Sequence, residues 1–232
     1  MDVDILYEDN HLLIVHKPMN IPVQGDHSRD LDLLSILKQD LKLRYQKPGN
    51  VYLGLVHRLD RPVSGVITFA KTSKAAARLS RMLQRHEMER KYLAIVRGTP
   101  VKQKGELEHF LWKNKQKNIV YVVEPTRKGA KKARLSYEVL GRKAGMSLVS
   151  VQLHTGRSHQ IRVQLAANGT PIYGDQKYGQ TVNQPGQQLA LFAHTLSFPH
   201  PVRDEVIAVD GIYPETYPWN LWKQPLINKE IG

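Results

Sequence analysis

The chain has 232 residues, 41% of them hydrophobic, enough to bury the core of one large domain or two small ones. Lys and Arg number 34 against 21 Asp and Glu, a formal charge of +13, so polyanions, and nucleic acid above all, are the favoured partners. The lack of cysteine excludes disulfides and thiolate zinc sites. The acidic start MDVDILYEDN is no signal peptide and no apolar run approaches a membrane span, so a cytoplasmic protein with no membrane partner is expected.

Strand-like VDILY and LLIVH flank the turn residues Glu8, Asp9 and Asn10 and predict an opening hairpin. Two prolines in KPMNIP break regularity. LDLLSILKQDLKLRY then places Leu33, Leu34, Leu37 and Leu41 on one helical face, with KPGN as its stop. Strands YLGLV and VITFA bracket the loop HRLDRPVSG, His57 to Gly65. Thr72 or Ser73 can cap a helix through KAAARLSRMLQRHEMER, where Ala76, Leu79, Met82, Leu83 and His86 keep helical spacing. KYLAIVRG reads as a strand closed by glycine. KNIVYVV, ARLSYEVL and SLVSVQL read as further strands, the last two alternating as a sheet with one buried face does. RSHQIRVQLAANG reads as a short helix that Ser158 can cap, with Asn168 and Gly169 as its stop. After PIYGDQKYG and a polar loop come strand-like LALFAH and a tail rich in proline and tryptophan. Strands outnumber helices without alternating regularly with them, which predicts an α+β fold, and a single domain over residues 1–232 is the simplest account.

Three stretches could carry chemistry. In HRLDRPVSG, Asp60 stands beside guanidinium groups that keep a carboxylate ionised, which suits a nucleophile or an electrostatic stabiliser better than a general acid. A solvated turn, with Asp60 on backbone amides and Arg58 in water, explains the spacing as well. In LHTGRSHQIRVQLAANG, Gly156 allows a sharp turn and Arg157 lies at a helix amino end, a ready anion site; Arg162, five residues on, lies on a different face. A solvated basic helix is the open alternative. His154 and His159 fit no zinc spacing, VSGV is not a nucleophile elbow, and no Gly-rich phosphate loop occurs. Between Trp112 and Arg134, Lys113, Lys115, Lys117, Arg127, Lys128, Lys131, Lys132 and Arg134 face only Glu124, and Trp112 and Tyr121 are interleaved with them. Phosphates take such charge and bases stack on such rings, although a solvated basic hairpin has the same composition.

Together these segments resemble the RluA-type family of RNA pseudouridine synthases. HRLDRPVSG is similar to that family's H-R-L-D-x-x-T-S-G motif, KYLAIVRG to its tyrosine-bearing strand, and TGRSHQIRVQL to its G-R-x-H-Q-I-R-x-H motif. YEDNHLLIVHKP, PIYGDQKYG and HTLSFPHP match lesser blocks in the family's order, from about Ile5 to Pro201. The resemblance implies a mixed, largely antiparallel sheet with flanking helices and a central RNA-binding cleft. It implies an isomerisation in which uracil leaves its ribose at N1, turns over and rejoins through C5, with no cofactor.

By the same resemblance Asp60 is the essential catalytic residue, as nucleophile or proton acceptor. Tyr92 stacks on the base and takes the C5 proton, and Arg162 pairs with the aspartate. Arg58 fills the place of the displaced base, His57 supports the loop, and Arg157 binds phosphate. His159, Lys128, Lys131 and Lys132 are further expected RNA contacts. Val63 departs from the family's threonine, Gln164 from its histidine, and Asn20 from the glycine of its KPxG block. The chain starts almost at the catalytic domain, so no S4-type domain is expected before it. The expected partner is structured ribosomal or transfer RNA, and the expected state a monomer. A non-catalytic RNA-binding or folding factor on the same scaffold is the alternative, and a hydrolase using Asp60 and a histidine has only loose spacing behind it.

Overall fold

A computed structural model describes residues 3–26, 28 and 30–222; the end of the proline- and tryptophan-rich tail lies outside them. In chain order its elements are β1 (Ile5–Glu8), β2 (Leu12–Lys17), α1 (Leu33–Arg44), β3 (Gly54–Leu55), β4 (Ser64–Ala70), α2 (Ser73–Gln84) and β5 (Glu89–Arg97). There follow β6 (Lys104–Asn114), β7 (Ile119–Val123), β8 (Lys131–Lys143), β9 (Met146–Leu153), α3 (Gln160–Ala167), β10 (Leu191–Pro199) and β11 (Val206–Asp210). Contacts divide the chain into two compact units, residues 1–90 with 193–212 and residues 91–192 with 213–232. Both combine helices with largely antiparallel strands, the α+β class that the pattern of elements predicts.

The first unit opens with the expected hairpin. Asp9 Oδ1 accepts the N–H groups of His11 and Leu12, each at 2.7 Å, and so makes the turn between β1 and β2. Strands β1, β2, β4 and β10 lie side by side in that order, with β3 on the end of β4 and β11 on β10. Every residue of β4 is buried, as are Leu12, Leu13, Ile14 and Val15 of β2, so both strands are covered on both faces. One face packs Leu12, Ile14, Val66 and Ala70 against Ala75 and Leu79 of α2 and against Leu196, Phe198 and Ile207.

Helix α2 stops earlier than its apolar spacing suggests. In α2, capped by Thr72, His86 turns left-handed at φ 60° and the Glu87 N–H closes on the Met82 carbonyl at 2.9 Å. That closure normally uses glycine, and it ends the helix before His86, which the spacing counted as helical. Helix α1 ends the same way at Gln46, φ 49°, ahead of KPGN. Its buried residues are Leu33, Leu37 and Leu41.

In the second unit the strand order is β5-β9-β8-β6-β7, each pairing antiparallel. Strand β6 is absent from the sequence reading because Glu106 and Glu108 interrupt its apolar character, yet it alternates with Leu107 and Leu111 buried. Strand β11, which pairs with β10 in the first unit, likewise has no counterpart among the expected strands. Helix α3 packs Val163 on Leu111, Val120 and Ala133. Its N-cap is His159 in a left-handed conformation (φ 51°) with no side-chain cap bond, not Ser158, whose hydroxyl accepts instead from Lys113 Nζ at 3.1 Å. Gly169, φ 81°, does terminate the helix. Phe192, Tyr213 and Trp219 meet edge to face at 5.7–6.3 Å and cover another part of the unit.

Gly65 has no room for a side chain. Its φ is 117°, and a Cβ there would lie 2.1 Å from the Ala193 carbonyl oxygen of β10. Gly65→Ala should cost at least about 3 kcal/mol in thermal or urea denaturation, whereas Gly49→Ala, with open space around it, should change stability by about 0.5 kcal/mol or less.

Candidate active site

The loop between β3 and β4 hangs from two anchors within the first unit. At its start, His57 Nε2 accepts the N–H of Thr68 at 3.3 Å. Although residue 57 keeps some surface, burial around its ring, with the charge of Arg90 adding to it, pushes its pKa down to about 3. His57 is therefore a neutral acceptor that holds the loop to β4. At the other end the Val63 N–H closes a turn on the Asp60 carbonyl at 2.9 Å. Asp60 is half-buried between buried Leu59 and exposed Arg61, and Arg58 is exposed. Arg61 reaches away from the loop, with Nε on the Asn20 carbonyl at 3.1 Å, Nη1 on Ser28 Oγ at 3.1 Å and Nη2 on Asp30.

Under this loop lies Lys17, wholly buried. Its Nζ donates to the carbonyls of Pro18 at 2.7 Å and Arg61 at 3.0 Å. Burial pushes its pKa down to about 7, against the nearby Asp60 carboxylate, which raises it, and with Arg61, which lowers it further.

In the second unit Tyr92 sits on β5 opposite Val151 of β9, 7% exposed. Arg162 projects from α3 and is buried. Its Nε and Nη2 donate to Asp175 Oδ2 and Oδ1, each at 2.8 Å, a two-pronged match of guanidinium to carboxylate. Oδ1 of Asp175 also accepts the N–H groups of Lys177 and Tyr178 at 2.9 and 3.1 Å. Burial alone would raise the Asp175 pKa; the bonds and charge of Arg162 and the two amides outweigh it and hold the carboxyl below its usual range. The guanidinium lies 5.3 Å from the Tyr178 ring centre. The Tyr178 hydroxyl accepts the Val120 N–H at 2.8 Å and meets His159 Nδ1 at 2.7 Å. His159 is therefore a buried strut beside Arg162, while His154 pairs with Ser136 Oγ at 3.1 Å.

The basic stretch is less uniform than its composition suggests. Lys128, Lys131 and Lys132 are exposed, but Lys131 and Lys132 are neighbours on β8 and point to opposite sides of the sheet. Lys132 meets Glu108 at 2.9 Å, and Arg134 meets both carboxylate oxygens of Glu106 at 3.1 Å, so carboxylates from β6 answer part of the charge. Arg157 donates from Nε to the Lys132 carbonyl at 3.0 Å. Trp112 and Tyr121 are paired across β6 and β7 with ring centres 6.3 Å apart, and the Arg127 guanidinium lies 3.9 Å over Trp112.

Each departure from the family's motifs has a local account. Asn20 has φ 64°, a conformation for which asparagine is the usual substitute for glycine. Val63 is buried at 2% exposure, where a hydroxyl would need a partner of its own. Gln164 is wholly buried, and its Nε2 donates to the Leu107 carbonyl at 3.0 Å and stands 3.0 Å from His109 Nδ1, tying α3 to β6. Lys17 and Asp175 were not singled out in the sequence. Their hints were a lysine that closes an apolar strand and heads the KPxG block, and an aspartate inside PIYGDQKYG.

Residues 11–167 match the family model described as RNA pseudouridylate synthase. An RNA pseudouridine synthase of Bacillus subtilis (strain 168), YhcT, is 35% identical over 216 residues, which cover 92% of this chain and 69% of that protein. The ribosomal large subunit pseudouridine synthase C of Escherichia coli (strain K12) is 34% identical over 215 residues, 89% of this chain and 65% of that protein. This chain thus spans about two thirds of the length of these relatives. Among solved structures, human RNA pseudouridylate synthase domain containing 4 shares the fold with a TM-score of 0.79 at 23% identity, over 94% of this chain and 91% of that one.

The Arg162–Asp175 pair sets an acid limit on stability. Because the folded pKa of Asp175 lies below that of the unfolded chain, its contribution is complete above the unfolded value of about 3.8 and is lost as pH falls through the folded value. Asp175→Asn, which leaves Arg162 buried beside a neutral amide, should lower stability at pH 7 by about 3–5 kcal/mol and weaken its dependence on acid, as read from urea melts between pH 7 and 3.

Proposed function

The chain belongs to the RNA pseudouridylate synthase family, and from that premise we propose that Asp60 carries the isomerisation of uridine to pseudouridine in structured ribosomal or transfer RNA. The observation behind this reading is the family match over residues 11–167, a range that includes Asp60, Tyr92 and Arg162, the residues that the motif resemblance proposes. The bond between C1′ and N1 of uracil breaks, a bond between C1′ and C5 forms, C5 loses a proton and N1 gains one. Atoms and electrons balance without a cofactor.

In this reading Asp60 attacks the substrate or draws a proton from it, and Arg162, held by Asp175, is the motif arginine of the reaction. A tyrosine on a strand such as β5 offers a flat ring for the base and an oxygen for the C5 proton, the part given to Tyr92. Arg58, exposed on the loop, takes the place of the base when it leaves its stack. His57 holds the loop as a neutral acceptor, and His159 acts through Tyr178. Arg157, Lys128, Lys131 and Lys132 meet phosphates, with Lys128 and Lys131 contributing more than Lys132, whose charge Glu108 already answers. One relative bears the name of a ribosomal large subunit enzyme, which makes ribosomal RNA the first substrate to try. A monomer in the cytoplasm completes the proposal.

Incubation with C5-tritiated ribosomal or transfer RNA should release tritium, and the modified nucleoside should keep the mass of uridine. Asp60→Asn should reduce release to background while leaving RNA binding within about twofold. A binding factor on the same scaffold would release no tritium from either RNA.

A further inference from the structure

Lys17 has no part in the reaction as the motifs assign it, yet its setting is unusual. It closes β2 in register with Gly65, at the far end of the loop that carries Asp60. It is 0% exposed, and its Nζ bonds to the carbonyls of Pro18 and Arg61. Arg61 directly follows Asp60. One nitrogen thus joins the turn after β2 to the main chain immediately beside the carboxylate. Gly65, which is held against Ala193, and His57, which is bonded to Thr68, fix the two ends of the same loop.

We propose that Lys17 is a positioning residue for Asp60: its buried side-chain nitrogen fixes the main chain at Arg61 and sets a positive charge beside the carboxylate. This rests on Asp60 as the group that carries the reaction. A purely architectural role fits the observations less well. An ammonium loses its hydration on burial, and its two carbonyl bonds offset only part of that cost, so architecture alone is weakly served by a cation here. Retention of a cation here is explained by what it faces. Those groups are Asp60 and Arg61 from the loop and His16 from the lysine's own strand, and of these Asp60 favours the charged form.

The placement has a consequence for pH. Burial brings the lysine's pKa down to about 7, so the ammonium gives up its proton close to neutrality and its charge disappears on the alkaline side. Turnover then falls as pH rises past that value. RNA binding, which draws on exposed lysines and arginines, does not follow it.

Single-turnover tritium release, RNA affinity by filter binding and thermal midpoints should be measured from pH 6 to 9 for the wild-type chain, Lys17→Met, Lys17→Arg and Asp60→Asn. Lys17→Met should lose about tenfold or more in turnover at pH 7, measured below its thermal midpoint, with RNA affinity within about twofold. Lys17→Arg, which carries a cation that does not titrate, should lack the alkaline decline of the wild type. Wild-type turnover in Lys17→Met alongside inactive Asp60→Asn would overturn the role of Lys17 and leave that of Asp60 standing. If Lys17→Met does not fold, an alkaline limb in Lys17→Arg identical to that of the wild type overturns it equally. Tritium release by Asp60→Asn would instead overturn the reading of Asp60 itself, and this proposal with it.

Discussion

A cation removed from water must be answered on the spot, and that constraint governs both halves of this molecule. In the second unit Arg162 is met by both oxygens of Asp175, and Asp175 is met in turn by two backbone amides. Those amides belong to Lys177 and Tyr178, so the loop after α3 is folded around the arginine. Tyr178 then carries the order outward through its hydroxyl to Val120 on β7 and to His159 at the start of the helix. Once Arg162 is buried, helix, loop and hairpin have little freedom left.

The first unit meets the same constraint with main-chain dipoles. Its loop is a short run of polar residues between two strands, which would be mobile if left to itself. Instead a neutral histidine, a glycine pressed against β10, a buried lysine and an outward arginine each hold a different part of it. Only the arginine's bonds are solvent-exposed. Preorganisation of this kind suits the role proposed for Asp60, which depends on placement more than on strength as an acid.

Much of this could be read in the sequence, and the failures have physical causes. The β1–β2 hairpin followed from Asp9, the face of α1 from its leucines, and the acid loop from its position between apolar runs. Helix α2 was read too long because apolar spacing continues through His86, and spacing carries no information about a backbone that turns left-handed without glycine. Strand β6 was hidden by its own glutamates. The same glutamates answer Lys132 and Arg134, so the density of positive charge between Trp112 and Arg134 overstated the charge left for a polyanion. The motifs point to Asp60, Tyr92 and Arg162 as the candidate site. Asp175 and Lys17, which hold their surroundings in place, lie inside the lesser blocks PIYGDQKYG and YEDNHLLIVHKP, but those blocks give them no part, because that part lies in burial and in hydrogen-bond partners.

The first unit is interrupted in sequence: residues 91–192 intervene before 193–212 return to complete it. Leu196, Phe198 and Ile207 belong to the same core as Leu12 and Ile14, and Gly65 needs Ala193 beside it. On the ribosome the opening hairpin, α1, α2 and the acid loop therefore emerge long before the strand that buries them. The intervening residues include nearly all of the β5-β9-β8-β6-β7 sheet, in which β6–β7 and β8–β9 are local hairpins while β5 waits for β9 and β6 for β8. Synthesis order thus leaves the segment bearing Asp60 unfinished until residues 193–212 have been made, late in the chain.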